Sequence, residues 1–194
     1  MRKIENSKNF FSLLAIVSAG LMLATSATGT FPGIQIGSFE EAYATSATRN
    51  TSTIANKTLG SPLYEEHTKS TGIRVADVSN GPKIEISFSG NGTINGTTAV
   101  TDIGTIWTIP TSPDDMSLYS EGQGILMTEK GSMATYTQQA SGEITADGRV
   151  LFRGSMFFSS SPSGELAFLD NMVGVYDYES DLAGNAERTV WKWT

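Results

Sequence analysis

Residues 118–144 read LYSEGQGILMTEKGSMATYTQQASGEI, two runs of period-two text on either side of EKGS. A strand turns successive side chains to opposite faces, so parity sorts the residues. In the first run Leu118, Ser120, Gly122, Gly124 and Leu126 share one face. Tyr119, Glu121, Gln123, Ile125 and Met127 share the other. In the second run Ala134, Tyr136, Gln138, Ala140 and Gly142 oppose Thr135, Thr137, Gln139, Ser141 and Glu143. Two such runs joined by a glycine-containing turn make an antiparallel hairpin. Glycine inside a strand weakens it, so the cluster requires a cause. Three causes fit: coiling of a small barrel, close packing of a large side chain, and close approach of a ligand.

The same pattern extends in both directions. Upstream, KIEISFS (83–89) puts Ile84, Ile86 and Phe88 on one face, after the turn SNGP and before NGTINGT (91–97), which supplies one or two turns. AVTDIGTIWTI (99–109) is stopped by Pro110 and Pro113, which cannot continue a ladder. Downstream come runs at 149–159, 165–169, 172–178 and 188–194, with Tyr176 and Tyr178 on one face and Trp191 and Trp193 on one face. Eight to ten short strands with short connections, and no helical pattern beyond residue 44, predict an all-β fold. Sequential strands then pair as neighbours, and closing the sheet removes its edges. The expectation is a single up-and-down antiparallel β-barrel of about eight strands. A two-sheet sandwich is the alternative, although its Greek-key crossovers need longer connections than most seen here.

Composition narrows the function classes. The 194 residues carry a net charge of −7 and only 17% charged side chains. Nucleic-acid binding requires a basic surface to neutralise phosphates, so that class is excluded. With no cysteine, disulfides, thiolate metal sites and thiol nucleophiles are excluded as well. His67 is the single histidine, and no GxSxG elbow, phosphate loop or dinucleotide fingerprint accompanies it. Glu65 and His67 share a strand face, and Asp177, Glu179, Asp181 and Asn185 fall short of a full calcium-loop pattern. Neither group is read as a metal site, and no cofactor is expected.

The N-terminus reads as export. Arg2, Lys3 and Lys8 precede a mostly apolar run through Ala24, the layout of a secretory signal or, if uncleaved, a membrane anchor. Small residues at −3 and −1 fit cleavage after Ala27 or after Ala44. The expected organisation is a signal or anchor helix at 1–44, a flexible Ser/Thr/Asn-rich leader at 45–58 and the barrel at 59–194. The protein is then secreted or held at the cell surface. Asn50, Asn56, Asn91 and Asn95 lie in N-x-S/T sequons and are glycosylation candidates. For Asn91 and Asn95, turn formation by Asn-Gly explains the pairs equally well.

The order of the phrases TDIGTIW, YSEGQGILMT, MATYTQQASGEI, VLFRGSMFF, VGVYDYE and VWKWT resembles a family of small uncharacterised prokaryotic secreted proteins, over roughly 72–194. That family is similar in architecture to the calycin-like barrels of allene oxide cyclases and dirigent proteins. The resemblance implies the eight-stranded barrel and transfers no catalytic residue.

Function is therefore read from the barrel itself. If Tyr119, Glu121 and Gln123 point inward, they form a polar patch in an apolar lumen, the makeup of a small-molecule pocket. Asp102, Trp107, Tyr136 and Gln138 complete the candidate lumen set. The leading expectation is a non-catalytic binding module for a small apolar ligand. Alternatives are a cofactor-independent isomerase or cyclase with Glu121 or Asp102 as acid or base, and a structural protein of the cell envelope.

Overall fold

Eight strands follow one another without a crossover: β1 (Tyr64–Asp77), β2 (Lys83–Ile94), β3 (Thr98–Pro110), β4 (Ser117–Thr128), β5 (Met133–Ile144), β6 (Val150–Ser160), β7 (Val173–Ser180) and β8 (Asn185–Lys192). The computed structural model describes residues 59–79, 81–111 and 116–193. The expected signal or anchor at 1–44, the leader at 45–58, and Asn50 and Asn56 lie outside them. Every sequential pair is antiparallel, and β1 also pairs with β8 over Tyr64–Lys69, so the sheet is a closed barrel rather than a sandwich.

Parity sets the inside. Along β4, Leu118, Ser120, Gly122, Gly124, Leu126 and Thr128 are buried while the alternate residues are half-buried or exposed. The register carries this side round the wall: Thr68, Gly90, Asp102, Leu126 and Ala134 sit opposite one another on successive strands. Ile94, Leu126, Met156 and Val190 are completely buried within the core cluster. Each stabilises the fold by about 1.5–3 kcal/mol through apolar burial.

The inward glycines answer to packing. Gly104 pairs with Phe88, Gly124 with Tyr136 and Gly142 with Phe152. A Cβ at Gly104 would lie 2.4 Å from the Phe88 ring, and one at Gly124 would lie 2.4 Å from the Tyr136 hydroxyl. Each aromatic ring lies over the glycine of the neighbouring strand, so of the three causes considered, close packing of a large side chain operates at these positions.

Two local expectations are corrected. Asn91 and Gly92 do not turn the chain but continue β2, paired with His67 and Glu66. The turn is a three-residue loop, 95–97, with positive φ at Asn95 (52°) and Gly96 (67°) and the Thr97 N–H donating to the Ile94 carbonyl. Residues 165–169 are not a strand either: Ala167–Leu169 is a 3-10 turn that buries Leu166 and Leu169. Their spacing of three matches the three-residue repeat of that helix rather than the two-residue repeat of a strand.

Candidate functional site

The inside of the barrel holds one polar cluster. Arg188, on β8, faces Glu66 directly across the β1–β8 ladder, and its Nη2 forms an ion pair with the Glu66 carboxylate. The same Nη2 reaches across the lumen to β3, donating to Asp102 Oδ2 at 2.8 Å, and to the Tyr136 hydroxyl on β5 at 3.0 Å. Nη1 donates to Gln138 Oε1. Tyr136 in turn donates to Asp102 at 2.8 and 3.0 Å, and Tyr64 donates to Glu66 Oε2 at 2.5 Å. The guanidinium lies 5.1 Å from the Tyr136 ring, 5.7 Å from Tyr176 and 5.9 Å from Phe88. One cation and two carboxylates thus join β1, β3, β5 and β8, and Glu66, Asp102 and Arg188 are at most 3% exposed.

Burial governs the electrostatics. Loss of water, then the neighbouring Glu66 carboxylate, push Asp102 up to about 8, against the lowering effect of Arg188. Burial raises the Tyr64 and Tyr136 phenols well beyond their ordinary range. For Arg188, burial alone would lower the pKa, but Glu66, Tyr136 and Asp102 hold the guanidinium charged. Its Nε–H is buried without a hydrogen-bond partner, a deficit of about 1–3 kcal/mol.

The seven lumen candidates divide. Asp102, Tyr136 and Gln138 point inward and meet in this cluster. Trp107, Tyr119, Glu121 and Gln123 belong to the outward set of β3 and β4, half-buried or exposed. The inward-facing expectation for Tyr119, Glu121 and Gln123 is therefore corrected: Gly122 and Gly124 take the inside because Gln138 and Tyr136 need the space above them. On the outside, Glu121 accepts from Lys83 at 2.8 Å, and the Trp107 indole donates to Glu85 at 2.7 Å. Arg74 grips the same Glu85 with two hydrogen bonds. Parity alone could have suggested Glu66, which follows Tyr64 by two residues. Nothing in RTVWKWT marks Arg188 as inward, because its inward neighbour Val190 is a lone apolar residue beside two tryptophans.

The remaining candidates are local. His67 sits on the exposed face 3.4 Å from Glu187. Asp177 pairs with Arg153, Glu179 with Arg149, and Asp181 accepts from the Asn185 amide groups to close the β7–β8 turn. Among the described residues no group of three or more His, Cys, Asp or Glu side chains could hold a metal. Asn91 and Asn95 are both exposed.

A different feature stands out on the outer wall. Ile103 pairs with Ile125 and Met127 with Met133, and these four, with Phe157 on β6, are 36–50% exposed. The outward residues of 101–105, 123–127, 133–139 and 155–159 include no charge. An acidic chain thus presents an uncharged face four strands wide, in which five apolar side chains stand among Thr, Ser and Gln.

No family model and no curated protein matches the chain. Its fold is shared with solved bacterial structures. One is a conserved protein of unknown function from Rhodopseudomonas palustris (TM-score 0.56, 12% identity, 68% of this chain and 93% of that one). Another is a β-barrel-like protein from Acinetobacter baumannii (0.57, 15%, 68% and 92%). A third, of unknown function, comes from Clostridium acetobutylicum (0.57, 14%, 69% and 98%). Likeness at this level of identity is likeness of fold.

Proposed function

We propose that this chain is an exported, non-catalytic binding barrel that works through its outside, seating an apolar protein surface on the face of β3 to β6, and that the occupant is a second copy of itself. The observation that carries the reading is the exposure of the adjoining Ile103, Ile125, Met127 and Met133, with Phe157 beyond Thr137, in a field free of charge. Interface centres are depleted in charge and enriched in methionine and aromatics. The wall is convex, whereas a small-molecule site requires concavity. Charge selects the occupant: two chains of net −7 repel, and an uncharged face is where they can approach most closely. Export from the N-terminal signal, and sequons at the exposed Asn91 and Asn95, fit a role at the cell surface or envelope.

A second reading keeps the small apolar ligand inside the barrel. It is favoured by the unpartnered Arg188 Nε–H, a donor to which a ligand's single polar acceptor could bind. An isomerase or cyclase reaction would have to bring its substrate to Asp102, which is completely buried. The interior reading therefore requires the wall to open.

Native mass spectrometry on protein secreted by its own host separates the readings. Twice the chain mass is expected, strengthened by salt because screening weakens the mutual repulsion, and reduced to a single mass by Ile125→Lys with Met133→Lys. A single chain at every concentration would overturn self-association, and a single chain carrying a small extra mass would move the site inside.

A further inference from the structure

We propose that the barrel interior is a proton-binding site, in which the Asp102 carboxyl, set beside Glu66 on one guanidinium nitrogen, keeps a proton at neutral pH as part of the closed fold, so that its loss at alkaline pH loosens the barrel. The inference rests on the composition of the cluster. Two carboxylates share one guanidinium nitrogen, Arg188 Nη2, and neither carboxylate is more than 3% exposed. Fully ionised, the site would hold two negative charges against one positive in a buried core. Like charges so placed cannot both remain ionised without a large penalty.

Among the described residues the surroundings supply no second cation. β1 adds Tyr64, β5 adds Tyr136 and the neutral Gln138, and β7 adds Tyr176 and Tyr178. β2, β4 and β6 turn Phe88, Leu126 and Met156 inward, none of which titrates. The phenols already donate, Tyr64 to Glu66 and Tyr136 to Asp102, and burial keeps them protonated. Asp102 is left to carry the change.

The direction follows from linkage. Asp102 holds its proton up to about pH 8 when folded but releases it near its ordinary value of about 4 when unfolded. The folded chain therefore binds more protons between those limits, and stability falls as pH rises through them. The surface carboxylates Asp77, Glu85, Asp147 and Glu165 have lowered values, so their opposite contribution is complete below pH 5.

The test is urea unfolding between pH 5 and 8 in a His67→Gln background, which removes the histidine on the outer wall. The unfolding constant is expected to rise by up to about tenfold per pH unit. In Asp102→Asn, whose amide can donate to Glu66 without a titrating proton, that rise is expected to vanish. A flat wild-type profile, or the same slope in the variant, would overturn the proposal. Should the variant not fold, infrared spectroscopy of the wild type decides: a protonated carboxylic acid band shielded from solvent is expected at pH 6 and lost at strongly alkaline pH. Its absence at pH 6 would sink the idea.

Discussion

Gly124→Ala is the sharpest test of how the interior is built. A methyl group there would lie 2.4 Å from the Tyr136 hydroxyl oxygen and 2.5 Å from Cζ, with another ring carbon at 2.8 Å. Ordinary contact begins near 3.5 Å, so the ring must retreat by about 1 Å. It has little room to do so: Tyr136 is 2% exposed, packs 6.1 Å from Phe158, and is bonded to Asp102 and Arg188. Overpacking costs about 1–3 kcal/mol, and straining hydrogen bonds to charged partners adds about 1.5–3 kcal/mol. Against this, the alanine restricts the unfolded chain and returns about 0.4–1 kcal/mol. The net expectation is a loss of about 1.5–5.5 kcal/mol, or roughly 5–20 °C in Tm for a domain of this size. Urea unfolding followed by tryptophan fluorescence measures it. Gly72→Ala provides the internal control, because its methyl would meet only the Ser87 Cβ at 4.0 Å, and its stability should stay within about 0.5 kcal/mol of wild type. Combining Gly124→Ala with Tyr136→Leu should cost less than the sum of the two changes, since the second removes the obstacle to the first. If Gly124→Ala is as stable as Gly72→Ala, the argument that inward glycines exist to admit aromatic rings is wrong.

Three further substitutions probe other parts of the barrel. Arg188→Met leaves Glu66 and Asp102 facing each other without a counter-charge and should cost about 3–5 kcal/mol, measured by urea titration at pH 7; a variant of wild-type stability would mean the cation contributes nothing. Trp191→Ala should cost about 3 kcal/mol or more by leaving a cavity, since Trp191 is 2% exposed. Trp193→Ala, at a site 62% exposed, should change Tm little, and equal losses from the two would contradict the burial assigned to each.

The internal cluster is expensive in isolation. Two carboxylates and a guanidinium each lose several kcal/mol of hydration in a closed core, and hydrogen bonds to Tyr64, Tyr136 and Gln138 offset part of that. What it supplies is registry. Arg188 can reach Gln138 on β5 and Asp102 on β3 only when β8 closes on β1 with Glu66 opposite. A slip of one residue would turn Arg188 outward and leave both acids unpaired.

The closed single sheet and most of the strand order were legible in the chain itself, although Asn91-Gly92 continues β2 instead of turning and 165–169 is a 3-10 turn instead of a strand. Alternation such as LYSEGQGILMT, stops at Asn-Gly and Pro, and the shortness of the connections are local signals, and an up-and-down barrel is assembled from neighbours in sequence. Parity in β4 and β5 likewise separated Gly122 and Gly124 from Glu121 and Gln123. Which set lay inside was a different matter. Both faces of β4 carry apolar residues, Leu118 and Leu126 on one side and Ile125 and Met127 on the other, so periodicity had no preference. The choice was made by packing between strands, with Phe88 over Gly104 and Tyr136 over Gly124 on neighbouring strands, and by Arg188 meeting Asp102 at a separation of 86 residues. Side-chain volume and charge can be balanced only across a lumen that closure creates, and for that reason the inside of this barrel belongs to its tertiary structure.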